Sequence, residues 1–187
     1  MDDNNRLVIQ ARSDKAAFVQ LYHRHYDTIF RYCAHRLFDR TIAEDVTSEV
    51  FLKMVENFHS FRGTEEQFGC WLYRIATNAV NNHLRRVNRR NRLLRTAREQ
   101  TNSVTTDCKE SHEKLTLLKQ AVLLLKPRYQ TIITLRFFEN MKLIEIAEVL
   151  ESSPGTVRSQ LARALAKLRV KMKADITARS AGGIKDD

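Results

Sequence analysis

The 187-residue sequence is poor in glycine, proline and cysteine, and each shortage excludes a class of structure. Five glycines and two prolines are too few for the turns of a sheet-rich fold, so a mostly helical protein is expected. The three cysteines, Cys33, Cys70 and Cys108, form no CxxC pair, which argues against a zinc site or a disulfide framework. No apolar run reaches the roughly 20 residues that cross a bilayer, and no signal peptide precedes the first charged residues. We therefore expect a cytoplasmic protein without membrane insertion.

Acidic residues are outnumbered by basic ones. The chain has 32 Lys and Arg against 22 Asp and Glu, which gives a net charge of +10. Such an excess favours a polyanionic partner without naming its sequence. The 43% hydrophobic content is sufficient for packed cores, so we predict an all-α fold with one or two small domains.

The stretch from Met141 to Leu168 has the pattern of a helix-turn-helix. Apolar residues recur at i, i+3 and i+4 spacing in two segments, namely Leu143, Ile146, Ala147 and Leu150, then Val157, Leu161, Leu165 and Leu168. Between the segments, Ser153 is a favourable N-cap and Pro154 suits the first helical position. Gly155 would let another backbone approach closely.

The outer face of the second helix would carry Thr156, Arg158, Ser159, Gln160 and Arg163. These side chains offer donors and acceptors to base edges and phosphates in a major groove. An ordinary helical hairpin with a solvated face is the alternative. The Ser153 cap, the small Ala147 where the second helix would cross, and the exposed polar set together favour DNA binding.

Two helical blocks flank a polar linker. We assign the first block to residues 14–86, the linker to 87–112, the second block to 113–173 and a disordered tail to 174–187. In the first block, one helix follows Asp14, a second begins near Thr41 and carries Val46, Val50, Phe51, Met54 and Val55 toward the core, and a third runs from about Glu66 to Arg86. The end of this helix and the linker contain seven arginines and no acid between residues 85 and 98, namely Arg85, Arg86, Arg89, Arg90, Arg92, Arg95 and Arg98.

An acidic patch lies on the second predicted helix, at Glu44, Asp45 and Glu49. Asp45 and Glu49 are four residues apart and share a helix face, where like charges repel slightly. On a basic chain, such a patch is suited to contacting a basic protein surface. A solvated helix start favoured by the helix macrodipole explains the same residues equally well.

A polar loop from Ser60 to Gln67 has an aromatic residue at each end, Phe61 and Phe68, and is followed by Trp71 and Tyr73. Aromatic side chains beside such a loop are suited to stacking on unpaired bases. Core packing is the more usual role, and we predict it for Phe68 and one other of these aromatics.

The third predicted helix carries a polar stripe of Arg74, Asn78, Asn81, Asn82 and Arg85. Asparagine is a poor helix former, and violations of local preference tend to occur at functional sites. The amides also offer both donors and acceptors to base edges. A merely solvated polar face is the alternative.

Four stretches of the chain resemble the extracytoplasmic-function group of the sigma-70 family of bacterial sigma factors. They are AFVQLYHRHYDTIFRYC, AEDVTSEVFLKM, FGCWLYRIATNAVNNHLRR and IEIAEVLESSPGTVRSQLARALAKLR, spread over most of residues 17–169. The resemblance implies that the first block is region 2 of the family and the second block is region 4. It also implies a factor that binds core RNA polymerase and opens promoter DNA at −35 and −10 elements.

The resemblance further implies roles for particular residues. Glu44, Asp45 and Glu49 would contact the clamp helices of the polymerase β′ subunit, and region 4 would contact the β flap. The residues for recognising and melting the −10 element would be Phe61, Arg62, Trp71, Arg74, Asn78 and Asn82, with the loop from Phe61 to Gln67 pocketing a flipped base. The −35 element would be read by Thr156, Arg158, Ser159, Gln160 and Arg163. An anti-sigma factor would be a further partner.

Two other function classes remain open. A regulator that binds an operator without polymerase would use the helix-turn-helix but leave the acidic patch and the asparagine stripe without a role. A nucleic-acid enzyme would need a catalytic constellation, and the sequence shows no metal-ligand cluster, phosphate-binding glycine loop or nucleophile motif. We therefore predict no catalytic residue, no metal and no cofactor.

Overall fold

The computed structural model describes residues 3–97 and 118–182, and within these ranges it contains helices and no strands. The helices are α1 (Asp3–Gln10), α2 (Lys15–Leu37), α3 (Arg40–Asn57), α4 (Glu65–Ala97), α5 (helical over the described residues 118–123), α6 (Pro127–Ile133), α7 (Leu143–Val149) and α8 (Pro154–Gly182). A 3-10 turn, Phe58–Ser60, follows α3, and a π-helical segment, Thr134–Phe138, continues α6. The all-α prediction is confirmed.

Side-chain caps fix where the helices of the first block begin. The carboxylates of Asp14 and Asp39 accept hydrogen bonds from backbone N–H groups at the starts of α2 and α3. At the start of α4, Gln67 Oε1 accepts from the Thr64 backbone N–H at 2.9 Å, and the Gln67 N–H donates to Thr64 Oγ1 at 3.3 Å. This reciprocal pair satisfies two donors that a helix end leaves unpaired, and it starts α4 directly after the loop.

Helices α2, α3 and α4 pack into the core of the first block. Tyr32 of α2 is completely buried, and its hydroxyl lies 2.8 Å from Thr77 Oγ1 of α4. Tyr22 packs edge-on against Phe51 of α3, with ring centroids 4.6 Å apart. Cys33 of α2 is also completely buried.

The predicted core position of Val55 in α3 is wrong. It is 54% exposed, whereas Val46, Val50 and Met54 are buried as expected. At 3.6 residues per turn, Val55 lies about 180° around the helix from Val46. Its side chain therefore faces away from α2 and α4.

The sequence does not predict α1, although this helix belongs to the core. Leu7, Val8 and Ala11 are buried, and α1 contacts α2 and α4. The apolar signal of α1 is a single cluster, too short to display the 3.6-residue period of an amphipathic helix.

The helix-turn-helix prediction is confirmed by α7 and α8. The two helices pack together, with Ile146, Ala147 and Val157 buried. Ser153 Oγ accepts from the Thr156 backbone N–H at 3.1 Å and so caps α8 as expected.

The close backbone approach expected at Gly155 is absent. A Cβ built there would meet only Ser153 Oγ, at 3.9 Å. The residue that has an unusual backbone in this turn is Glu151, with φ of 48° in the left-handed region.

Two helices extend past their predicted ends. Helix α4 continues to Ala97, so residues 87–97 of the predicted linker are helical. Arginine and leucine are good helix formers, and because no glycine or proline lies there, the loss of apolar periodicity does not end the helix. Helix α8 likewise continues to Gly182, so the predicted disordered tail begins with helical residues 174–182. Predictions for residues 98–117 and 183–187 lie outside the described residues.

The two blocks pack against each other. Helix α4 contacts α7, and α2 contacts the π-helical segment. One apolar core runs through both blocks and includes Ile132, Leu135 and Ile146 of the second block. We call this packing of α4 against α7, and of α2 against the π-helical segment, the closed arrangement.

Candidate functional site

Two residues of the acidic patch on α3 are paired with basic side chains. Glu44 Oε1 accepts from Arg40 Nε at 3.0 Å. Glu49 Oε1 lies 2.6 Å from Lys53 Nζ, and Glu49 Oε2 lies 3.6 Å from Arg86 Nη2 of α4. These ion pairs make the patch less negative than its sequence indicates.

The same side of α3 carries exposed apolar residues beside the third acidic residue, Asp45. Leu52 is 60% exposed and Val55 is 54% exposed. Leu52 follows Asp45 by seven residues, about two helical turns, so the two share a face. Asp45 is exposed and forms no ion pair within the described ranges. Leu52 and Val55 therefore leave apolar side-chain area in water beside this carboxylate.

The loop between α3 and α4 holds Phe61 inside the protein. Phe61 is 8% exposed and packs edge-on against the buried Phe68, with centroids 5.4 Å apart. The core prediction is confirmed for Phe68, and two other aromatics, Phe61 and Tyr73, are buried where one was expected. The Phe61 carbonyl accepts from Arg62 Nη1 at 2.9 Å. A Cβ at Gly63 would lie 2.6 Å from Gln67 Oε1 and 2.9 Å from Phe61 Cζ, so a larger residue there would displace the Gln67 side chain and the Phe61 ring.

A cleft of about 910 Å³ lies between this loop and the second block. Trp71 is half-buried in its wall, with its ring centroid 5.1 Å from that of Phe61. Arg62 and Arg74 line the same side. The opposite side is formed by Ile144, Ala147, Glu148, Glu151, Ser152 and Pro154. An aromatic surface beside two guanidinium groups offers both a stacking surface and phosphate partners to a nucleotide.

The asparagine stripe divides between two faces of α4. Asn78 and Asn82 are exposed, and Asn82 Oδ1 accepts from Arg85 Nη1 at 3.3 Å. Asn81 is turned toward α2 and accepts from Arg36 Nη2 at 3.0 Å. Asn78 and Asn82 are therefore the fully exposed asparagines of the stripe, while Asn81 is half-buried and bound within the first block.

The predicted −35 residues lie on the outer side of α8. Thr156, Arg158, Ser159 and Arg163 are exposed, and Gln160 is half-buried. Ser159 Oγ donates to the Thr156 carbonyl at 2.9 Å, so that hydroxyl is engaged within the helix. Of this set, the two arginines have the longest reach toward a base edge.

Three donors of the first block converge on Glu139, directly after the π-helical segment. The Glu139 side chain is completely buried and lies 3.0 Å from Tyr73 Oη, 3.2 Å from Arg31 Nη2 and 3.4 Å from His35 Nδ1. Burial and the neighbouring carboxylate raise the pKa of Tyr73, which keeps its hydroxyl a donor.

Arg36 is a second polar contact between the blocks. It is 1% exposed and donates to Gln130 Oε1 at 2.6 Å as well as to Asn81. Gln130 Nε2 in turn donates to the carbonyls of Leu123 and Leu125, at 2.9 and 3.0 Å. A buried guanidinium requires such oxygen partners, since desolvation without them is costly.

The third contact joins Arg74 to the helix-turn-helix. Arg74 Nη1 lies 2.7 Å from Glu151 Oε1, and Arg74 Nη2 donates to the Glu148 carbonyl at 2.7 Å. Cys70 lies close by, and burial together with the Glu148 carboxylate raises the pKa of its thiol to about 12. Sequence reasoning missed Glu139 and Glu151 because isolated acids at helix ends give no periodic signal.

Two further observations concern chemistry and membranes. Among the described residues, no group of three or more His, Cys, Asp or Glu side chains is placed to hold a metal ion. No helix within residues 3–97 and 118–182 is long and apolar enough to span a bilayer.

Comparisons with known proteins match both blocks. The family model Sigma-70 region 2 matches residues 21–90, and Sigma-70, region 4 matches residues 115–168. The chain is 33% identical over 168 residues to the ECF RNA polymerase sigma factor BldN of Streptomyces coelicolor, covering 87% of this chain and 63% of that protein. It is 29% identical over 174 residues to the ECF RNA polymerase sigma factor SigW of Bacillus subtilis, covering 87% of this chain and 92% of that protein. The fold is similar to that of the sigma factor RpoE in complex with the anti-sigma factor NepR from Bartonella quintana, with a TM-score of 0.63 and 19% identity over 84% of this chain and 98% of that chain.

Proposed function

Because this chain belongs to the sigma-70 family, in its extracytoplasmic-function group, we propose that it binds core RNA polymerase and directs promoter-specific transcription initiation. It acts as a regulatory initiation factor without catalytic residues or a cofactor of its own, in the cytoplasm with the polymerase. Residues 14–86 serve as region 2, residues 87–112 as the linker and residues 113–173 as region 4.

One observation carries this proposal: a single basic chain has one face suited to binding a protein and two surfaces suited to binding nucleic acid. The faces lie on α3, on α4 with its adjoining cleft, and on α8. An operator-binding regulator needs only the last of these. The exposed Leu52 and Val55 beside Asp45 favour a protein partner for α3, because they leave apolar area in water.

In this proposal α3 contacts the β′ clamp helices through Glu44, Asp45 and Glu49. The β flap binds the second block. The Ser48 position, where family members often have glutamine, belongs to the same exposed face and would adjust this contact.

The −10 element is bound by the cleft and by α4. Arg62, Trp71 and Arg74 line the cleft, where a flipped base would stack and its phosphate would find a cation. Asn78 and Asn82 lie further along α4 and would hold the separated strand. Phe61 supports the cleft from within, since its ring is buried.

The −35 element is read by α8 in the major groove of duplex DNA. Thr156, Arg158, Ser159, Gln160 and Arg163 are the contacting set, with the arginines suited to guanine. Gln160 stands where many members of the family have arginine. An anti-sigma factor is a further proposed partner, supported by the neighbour RpoE, whose structure contains one.

Run-off transcription tests the function directly. Core RNA polymerase, the full-length chain and genomic fragments of the source bacterium should yield transcripts whose start sites share a −35 and a −10 motif. The Arg158→Ala/Arg163→Ala variant is the matched control, because it should co-purify with polymerase yet lose those transcripts. Failure of the parent chain to co-purify with core polymerase would support the operator-binding regulator instead.

A further inference from the structure

The carbonyl oxygen of Phe61 accepts hydrogen bonds from two guanidinium groups that come from different parts of the chain. Arg12, in the turn between α1 and α2, donates to it through Nη2 at 3.0 Å and lies 49 residues away in sequence. Arg62 donates to the same oxygen through Nη1 at 2.9 Å. A carbonyl oxygen has two lone pairs, so these two donors use its full capacity.

The two guanidinium groups are close enough to repel each other. Because both bind one oxygen, their donating nitrogens lie at most about 6 Å apart. Within residues 3–97 and 118–182, neither Arg12 nor Arg62 forms an ion pair with a carboxylate. Two like charges at this distance raise the energy of the folded protein, so stability does not explain the pair.

Arg12 extends from a fixed part of the backbone beside the loop. Val8 and Ala11, which precede it, are buried in the core. Asp14, which follows it, caps α2 by accepting hydrogen bonds from backbone N–H groups of that helix. The backbone on both sides of Arg12 is therefore anchored independently of the loop that its side chain reaches.

Arg62, in contrast, is bound by carbonyl groups of its own loop. Its Nη1 donates to the His59 carbonyl at 2.6 Å as well as to the Phe61 carbonyl. Arg62 is exposed and lines the −10 cleft, so it must leave these carbonyls to bind a DNA phosphate. Phe61 is 8% exposed, and leaving a part-buried carbonyl without a donor is costly.

We propose that Arg12 is a positioning residue of the −10 cleft, which keeps the Phe61 carbonyl paired and repels Arg62, so that Arg62 is available for a phosphate of the melted strand. The inference rests on the proposed function, because it concerns the DNA contacts of the same cleft. Both effects of Arg12 have the same sign. Its hydrogen bond lowers the cost of releasing Arg62, and its charge favours an anion beside Arg62. Arg12 precedes residues 21–90, which match region 2, and so lies outside that match.

The first test measures the release of Arg62 in the free full-length protein. Phenylglyoxal modifies guanidinium groups that leave their hydrogen bonds, and mass spectrometry gives its rate of reaction at Arg62. Arg12→Met removes the charge and the donor, whereas Arg12→Lys keeps both, since one N–H group is sufficient at this oxygen. Lys15→Met is the matched control, because it removes an exposed positive charge three residues further along, at the start of α2.

We expect phenylglyoxal to modify Arg62 about threefold more slowly in Arg12→Met than in the parent, with parental rates in Arg12→Lys and Lys15→Met. Arg12 is exposed, so the melting temperature should stay that of the parent. An unchanged rate would overturn the proposal, and so would a faster one, which would mean that Arg12 only orders the loop. If Arg12→Met fails to fold, Arg12→Gln, which loses the charge, must slow the reaction, and a parental rate there is equally decisive.

The second test is a double-mutant cycle in the holoenzyme. Core RNA polymerase is combined with the parent, Arg12→Met, Arg62→Ala or the double variant, and permanganate-reactive open complex is measured at a promoter obtained by run-off transcription. Arg12→Met should reduce open complex about threefold and Arg62→Ala about tenfold, while the double variant should lose no more than Arg62→Ala alone. If the two losses multiply instead, Arg12 contacts DNA by itself and the proposal is wrong.

Failure of the proposed function gives a different pattern. If the parent yields no promoter-specific transcripts with core polymerase, the function is wrong, and the modification rates still decide whether Arg12 acts on Arg62. If transcripts are made and Arg12→Met behaves like the parent in both tests, the function stands and the role of Arg12 is wrong.

Discussion

Lys53 Nζ lies 2.6 Å from Glu49 Oε1, one turn away on the same helix, so the acidic face of α3 is partly neutralised from within. Arg86 of α4 approaches the same carboxylate at 3.6 Å. Replacing Glu49 with a basic residue would therefore place three cations together and destabilise the fold. Asp45 is the acid on this face whose change tests binding without that side effect.

Asp45→Lys should weaken association with core RNA polymerase by about tenfold or more, because a charge reversal at a complementary interface is strongly unfavourable. The residue is exposed, so the melting temperature should stay that of the parent. Affinity is measured by fluorescence anisotropy with labelled protein. Asp27→Lys, an equal charge change on α2, is the control; equal affinity of the two variants would exclude α3 as the contact.

Asn78→Ala/Asn82→Ala should abolish most open-complex formation while leaving polymerase binding intact. Both side chains are exposed, and alanine is the better helix former, so stability should not fall. Losing hydrogen bonds at two positions should reduce permanganate-reactive complex roughly tenfold. Pre-melted promoter DNA should restore transcription, and Asn88→Ala on the same helix should behave like the parent. Equal transcription of duplex and pre-melted templates by the double variant would contradict a melting role.

Arg158→Ala and Arg163→Ala should each flatten base preference at particular −35 positions, because an arginine reading guanine supplies about 1–3 kcal/mol of discrimination. Arg169→Ala, further along α8, should weaken binding evenly across sequences and lower its salt dependence. The measurement is a promoter-library selection at fixed salt. A shifted −35 preference in the Arg169 variant, with none in the other two, would show that this part of α8 does not lie in the groove.

Acid should destabilise the first block through His25. Its ring packs 5.2 Å from that of Phe68, and its Nε2 is buried without a hydrogen-bond partner among the described residues. Burial, with a contribution from Arg24, lowers the pKa of His25 to about 4. The unfolded chain, with a pKa near 6.5, takes up the proton first, so the free energy of unfolding should fall as pH drops from about 6.5 to about 4.

The His25→Phe variant isolates this effect. It keeps an aromatic ring beside Phe68 and removes the titrating group, so its unfolding free energy should vary less over that pH range. Chemical denaturation followed by Trp71 fluorescence gives both curves. Parallel curves for parent and variant would assign the acid sensitivity to other groups.

Much of the fold could be predicted because its signals are local. The start of α3 near Thr41 follows from the Asp39 cap, and the start of α8 follows from Ser153 and Pro154. The predicted ends of α4 and α8 were wrong, because these helices run on to Ala97 and Gly182. Arginine in the first extension and alanine in the second are good helix formers that leave no apolar stripe in the sequence.

The site was harder to predict because its geometry is set by contacts distant in sequence. The stripe on α4 placed Asn81 with Asn78 and Asn82, yet Asn81 bonds to Arg36 of α2. Phe61 and Trp71 looked equivalent in sequence, and burial separates them. Val55 looked apolar and therefore buried, but a helix that leaves apolar area for a partner gives the same local pattern.

The π-helical segment has a consequence for changes in chain length. The backbone N–H of Glu139 bonds to the carbonyl of Thr134, five residues back, at 3.1 Å. A π-helical turn contains one residue more than an α-helical turn. The turns on either side of it therefore keep the positions that they would have in a helix one residue shorter. A deletion inside Thr134–Phe138 would therefore keep the direction of Glu139, whereas a deletion midway along α4 would rotate everything beyond it by about 100°. A one-residue deletion is thus absorbed by the π-helical segment, while α4 must keep a fixed angular relation between Trp71, Asn82 and its arginine-rich end.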